Sequence, residues 1–188
     1  MQKIRRLYDR FSASTGGIAA VEFAMICPIL VVLCLAAFDG ARAIAIYMKV
    51  RSATYALGAI TNQYTTIQSS DMTSILGATS TIMAPYSITP AVITISQISI
   101  INGSGNAKVI WSASQGGTAR TLGSSISVPS GLAVSTTPTT YLIFAELRYA
   151  YTPIFGFFFG TAIQLSDNLY VTPRSSTCIV YVVDGSSC

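Results

Sequence analysis

Residues 18–38 read IAAVEFAMICPILVVLCLAAF, twenty-one residues carrying a single charge, Glu22. As a helix this run is roughly 31 Å long at 1.5 Å per residue, and it matches a hydrocarbon core of about 30 Å. It therefore reads as one transmembrane helix, or as an unusually long signal-peptide core. Pro28 removes one backbone hydrogen bond inside the run without forbidding a span. Four basic residues, Lys3, Arg5, Arg6 and Arg10, precede the run; Arg42, Lys49 and Arg51 follow it. The thin basic excess on the N-terminal side, the short leader, and a near-neutral Ser/Thr-rich remainder predict a cytoplasmic N-terminus and a C-terminal domain outside.

The rest of the composition narrows the function. Of 188 residues, 51% are hydrophobic and 10% charged, against about a quarter charged in ordinary soluble domains. There is no histidine, which removes the commonest general base and metal ligand. The net charge of +4 suggests nucleic acid only until it is located: the first seventeen residues carry most of it. No basic groove can be built from what remains, so no nucleic-acid partner is expected. No phosphate loop, C-x-x-C pair or metal-ligand cluster is present either. Asp71, Glu146, Asp167 and Asp184 show no spacing that would bring two carboxylates together, so the sequence predicts no enzyme, no cofactor and no small-molecule substrate.

Three processing fates compete for the N-terminal segment. A secretory signal peptide could be cut after Ala43, where Ala41-Arg42-Ala43 supplies the small residues, although the apolar core is long and holds Glu22. That fate would release a secreted, adhesin-like β-rich binding domain. An uncleaved anchor is the second. The third rests on Thr15-Gly16-Gly17-Ile18-Ala19-Ala20-Val21-Glu22-Phe23, a glycine, four small or apolar residues, a glutamate and an aromatic at the junction of a basic leader and an apolar run.

This pattern resembles the cleavage site of type IV prepilin-like substrates, and the run GGIAAVEFAMICPILVVL with the later Phe38-Asp39-Gly40-Ala41-Arg42 resembles the TadE-like family of the Tad (Flp) pilus system. The resemblance covers residues 5–55 well and the remainder only in layout. It implies a pseudopilin-like minor subunit or assembly factor, cut by a prepilin peptidase between Gly17 and Ile18, with Glu22 and Phe23 read in peptidase recognition and assembly. It also implies a bacterial inner membrane with the C-terminal domain in the periplasm, and other pilin or pseudopilin subunits as partners. Family members carry the acidic residue and the Gly-Arg pair in a slightly different form, so no role is carried over to Asp39 or Arg42. The physical reading of Glu22 stands beside the resemblance. A charged carboxylate in a bilayer costs up to roughly 2.5–3.5 kcal/mol at the centre, so such groups are usually paired and functional. Cleavage after Gly17 would free an amine at Ile18, one helical turn away from Glu22.

Beyond the span, Ala53, Ala56, Leu57, Ile60, Tyr64 and Ile67 recur at helical spacing, predicting one helix from about 18 to 67. The expected organisation is a leader (1–17), a span (18–38), an amphipathic stalk (39–68) and an extracytoplasmic α+β domain (69–188). In that domain Ser69-Ser70-Asp71 offers a helix start, with Met72, Ile75, Leu76 and Met83 on one face and Pro85 as terminator. AVITISQISII, a turn at 102–105 and AKVIWSA predict a hairpin with Trp111 as a core anchor. Residues 114–140 read as a long loop. Residues 141–151 alternate cleanly, predicting a strand with Glu146 and Arg148 on a solvated side. The apolar stretch 153–160, PIFGFFFG, reads as a buried connection, or else as a patch for membrane or partner. Two further strands, near 162–172 and 178–183, complete an antiparallel sheet of about five with helices on one face.

Cys27 and Cys34 lie seven residues apart inside the span and read as small apolar packing residues. Cys178 and Cys188 bracket a short tail, and in an oxidising compartment they could form a disulfide of modest stabilisation, about 2 kcal/mol.

Overall fold

The computed structural model describes residues 16–101, 106–132, 139–156 and 161–184. The chain opens with α1 (Gly16–Thr61), 46 residues that run through Pro28 without interruption. From Ile46 onward one stripe of this helix, Ile46, Val50, Ala53 and Leu57, is buried, a spacing that keeps a single face turned inward. The second half of α1 is thus part of the domain core and lies against its sheet.

The helix ends at Thr61, short of the Ile67 expected from periodicity. Backbone bonds from Gln63 to Ile60 and from Tyr64 to Thr61 tighten the exit, and the carbonyl of Asn62 accepts the Arg174 N–H at 2.9 Å. Thr66–Ile67 then forms β1, and Ile67 is fully buried. The β-branched Thr-Thr-Ile run gains sheet pairing and burial that another helical turn would not supply. α2 (Ser69–Met83) is capped one residue earlier than expected, by Gln68, whose backbone N–H donates to Asp71 Oδ2 at 3.0 Å. Its buried face is Met72, Ile75, Leu76, Thr79 and Met83.

The predicted hairpin is β2 (Ala91–Ile101) and β3 (Asn106–Gln115); its expected turn at 102–105 lies outside the described residues. With β4 (Ser125–Ser127), β5 (Thr139–Tyr151) and β6 (Ile163–Val171) they make a five-stranded antiparallel sheet in the order β4-β3-β2-β5-β6. The fold is α+β, as the sequence predicts, but its fifth strand differs. β7 (Val180–Tyr181) leaves the main sheet and pairs in parallel with β1, while β4, inside the expected 114–140 loop, takes the edge beside β3.

Two apolar clusters lie on opposite faces of this sheet. The larger joins α1 and α2 to Ile93, Ile95, Trp111, Ile143, Leu147 and Tyr149. The smaller gathers Ile98, Ile100, Ala107, Val109, Val128, Leu142 and Phe144. A bulge explains how β3 serves both. The register runs from Gln97↔Trp111 to Ile98↔Val109, skipping Ile110, so Ala107 and Val109 face away from Trp111 and Ala113. Trp111 is fully buried, as expected of a core anchor, and its Nε1–H donates to the Ile179 carbonyl at 2.8 Å.

The strand at 141–151 is a correction in one respect. Ile143, Ala145, Leu147, Tyr149 and Tyr151 face the helices as expected, but the other side is not solvated throughout. Glu146 is only 9% exposed, and its Oε2 accepts from Arg120 Nε at 2.9 Å. Arg120 comes from the loop after β3 and lies over the Phe144 ring, so that loop covers this face and only Arg148 remains exposed there.

Candidate functional site

The two halves of α1 have opposite environments, and the boundary falls at Asp39. Between Ile18 and Leu33 the large side chains stand exposed, among them Ile18, Val21, Phe23, Met25, Ile29 and Leu30. The most apolar eighteen-residue window of the helix has a mean hydropathy of 2.6, and none of it is buried. Exposed apolar surface on this scale marks a membrane or protein contact, and the helix is a candidate membrane anchor. Pro28 is carried inside it, where its missing N–H leaves the Ala24 carbonyl without its helical donor.

Gly17 sits in the first turn, where backbone N–H groups have no intrahelical acceptor and the chain opens most easily. A Cβ placed on Gly17 would meet nothing within 4 Å. Ile18, Glu22 and Phe23 follow on the bare helix, all exposed. Ile18 and Glu22 are four residues apart and therefore on one face. Among the described residues no side chain pairs with Glu22. Cys27 and Cys34 carry free thiols on the same bare segment. Ala41-Arg42-Ala43, the alternative cleavage point, lies inside the continuous helix just ahead of the buried Ile46.

Asp39 is the residue that sequence reasoning passed over. It is 5% exposed, and its carboxylate accepts two backbone N–H groups from the β5–β6 connection: Ile154 to Oδ1 at 3.1 Å and Phe155 to Oδ2 at 3.0 Å. The Tyr151 hydroxyl donates to the Asp39 carbonyl at 3.2 Å, and the rings of Phe38 and Phe155 meet edge to face at 6.1 Å. Burial pushes the Tyr151 phenol above its ordinary range, and the Asp39 charge adds to the effect. Burial likewise raises Tyr149, opposed by the nearby Arg42. The signal in the sequence was a carboxylate placed one residue past an apolar run on a helix, a position where a charge survives only with partners. Those partners are backbone groups, which no side-chain pattern announces.

The expected buried connection at 153–160 is only partly so. Pro153 is buried, but Ile154 and Phe155 are exposed, because Asp39 holds their backbone and leaves the side chains outside; residues 157–160 lie outside the described set. At the C-terminal end Cys178 is buried beside Gln97, whose Nε2–H donates to its Sγ at 2.8 Å; Cys188, its expected partner, lies outside the described residues. Among the described residues no group of His, Cys, Asp or Glu could hold a metal ion.

The first helix of this domain is half core and half bare apolar surface, which makes its bare half a candidate anchor or assembly surface. The bare half and the helix beyond it, residues 17–57, match the family model of TadE-like proteins, the family that the sequence resembles. That family consists of structural pilus components, and the match covers the long helix and none of the sheet. No curated protein and no solved structure matches the chain.

Proposed function

We propose that this chain is a membrane-anchored, pseudopilin-like minor subunit or assembly factor of a Tad (Flp) pilus, processed by a prepilin peptidase between Gly17 and Ile18. The observation that carries the proposal is the bare apolar half of α1, which the chain's own domain leaves uncovered while the second half of the same helix is core. A lipid bilayer can cover such a surface first and a bundle of like helices later. Gly17 in the first helical turn, whose backbone N–H groups lack intrahelical acceptors, suits a peptidase that needs extended backbone. Glu22, one turn from the new amine of Ile18, would neutralise that amine or a neighbouring subunit's as helices pack. Phe23 completes the recognition pattern. In this reading the N-terminus is cytoplasmic, the α+β domain is periplasmic, and a Cys178–Cys188 disulfide staples the tail.

The reading of a secreted domain cut after Ala43 has a specific observation against it. The cut would fall in the middle of a helix and sever the Asp39 bonds to Ile154 and Phe155, whereas a signal peptidase requires an extended site.

The test is the N-terminal sequence and intact mass of membrane-fraction protein expressed with and without a prepilin peptidase. A new N-terminus at Ile18, seen only with the peptidase, is the expected result. An N-terminus at Ile44 in the soluble fraction would replace the proposal with the secreted domain, and an intact Met1 under both conditions would leave a plain anchored protein.

A further inference from the structure

The helical turn at 38–42 holds a charge that the protein does not use. Arg42 is half-buried, its Nε is buried with no hydrogen-bond partner, and no carboxylate among the described residues pairs with it. The nearest acid on the same helix, Asp39, is committed through both oxygens to the backbone of Ile154 and Phe155. Arg42 lines a cavity of about 340 Å³ with Phe38, Ala41 and the half-buried Tyr86. The cavity therefore offers a guanidinium and a phenol hydroxyl as donors, with an apolar wall. The buried Nε–H lacks an acceptor, which is costly, and an anion bound by the guanidinium would remove that cost.

Position identifies the anion. Arg42 lies four residues past Phe38, about 6 Å further along the helix axis, which is headgroup depth if the preceding run fills a hydrocarbon core. The rim next to the cavity is apolar and faces outward: Phe38 is 54% exposed, Ile154 54% and Phe155 37%. Phe155 packs edge-on against Phe38, and Asp39 fixes the loop that carries it. Aromatic and aliphatic side chains beside a cation at the end of a span suit the acyl boundary below a phosphate layer.

We infer that Arg42 and Tyr86 form a binding site for the phosphate of a membrane phospholipid, with Phe38, Ile154 and Phe155 resting in the acyl boundary beneath it. The domain then lies on the bilayer at a fixed tilt, gripped by two elements, the helix and the β5–β6 loop. This inference rests on the proposed spanning role of residues 18–38.

The experiment uses the full chain in nanodiscs of phosphatidylethanolamine and phosphatidylglycerol. Co-elution with the disc is scored first, for wild type and variants; a chain that does not enter the bilayer would overturn both the spanning role and the headgroup site. Phospholipid retained after transfer to detergent is then counted by native mass spectrometry. Arg42→Gln should retain about tenfold less, the loss expected for one charge-assisted contact. Arg42→Lys should keep most of it, and so should Arg148→Gln, whose charge is exposed on the opposite face of the sheet. In parallel, Phe155→Trp should be quenched by phospholipid brominated high in the acyl chain, beyond any quenching of the buried Trp111. Discs that hold the protein while Arg42→Gln retains lipid like wild type, or while Trp at 155 goes unquenched, would overturn the headgroup site and leave the span intact. Displacement of the lipid by inorganic phosphate at millimolar concentration would overturn the assignment to a membrane source.

Discussion

Asp39 on the long helix and Phe155 in the β5–β6 connection stand 116 positions apart and are joined by a hydrogen bond of 3.0 Å from the Phe155 N–H to Asp39 Oδ2. With the matching bond from Ile154, it ties the point where the helix leaves its domain to the loop on the sheet's far edge. It fixes the boundary between the bare half of the helix and the half packed into the core.

Asp39→Ala leaves two backbone N–H groups without their charged acceptor. The expected loss is about 3 kcal/mol in stability, since bonds to charged groups contribute more than neutral ones. Asp39→Asn, keeping one acceptor, should lose less. Denaturant unfolding followed by Trp111 fluorescence measures the first effect, and faster proteolysis at residues 154–156 locates it.

Gln97 is fully buried and bonds the residues leading into the last strand twice: its Oε1 accepts the Ile179 N–H at 2.8 Å and its amide donates to Cys178 Sγ. Replacing it with leucine keeps the volume but strands the Ile179 N–H. A loss of about 2 kcal/mol is expected, with faster hydrogen exchange at residues 179–181 than in the main sheet. Unchanged exchange there would show that β7 is held by its pairing with β1 and by the Trp111 bond to Ile179, without help from Gln97.

At Gly58 the helix α1 lies close against β6. A Cβ there would sit 3.0 Å from both Leu169 Cδ2 and Val171 Cγ2. Gly58→Leu should cost about 1–3 kcal/mol through overpacking. Gly58→Ala should be milder, because alanine gains about 1 kcal/mol of helix propensity against the same crowding. Comparing the two unfolding midpoints separates the contributions.

Tyr149 and Tyr151 are both raised above the ordinary tyrosine value of 10.0, burial being the first cause in each. A raised folded value means the native state holds the phenol proton more tightly than the unfolded chain does. The associated stability is therefore complete below about pH 10 and falls as pH rises through the folded values. Tyr149→Phe should flatten part of that alkaline loss while leaving stability at pH 7 nearly unchanged, as a titration of the unfolding midpoint from pH 8 to 11.5 would reveal.

For the proposed processing, Gly17→Leu should block cleavage between residues 17 and 18. Glu22→Gln should be cleaved but fail to assemble. Normal assembly of cleaved Glu22→Gln protein would remove the electrostatic role assigned to that carboxylate.

The apolar run at 18–38, the amphipathic positions through Leu57, the hairpin around Trp111 and the alternating strand at 141–151 were all legible in the sequence. Each depends on periodicity within one segment, so the residues alone carry the information. The candidate processing motif was legible for the same reason: Gly17, Ile18, Glu22 and Phe23 are close in sequence.

What the tertiary structure decided were the pairings between distant segments. Ile67 fits a helical stripe as well as a strand, and only β7, arriving from residues 180 and 181, makes the strand the better choice. Glu146 alternates like a solvated residue until Arg120, 26 positions earlier, closes over it. Asp39 is a lone acid beside a span until two backbone N–H groups from the far end of β5 reach it. Backbone donors exist at almost every position, so the sequence does not mark which of them a fold will use. The sequence by itself determined which helix carries the long apolar run; the packing of the sheet decided where on that helix the domain takes hold.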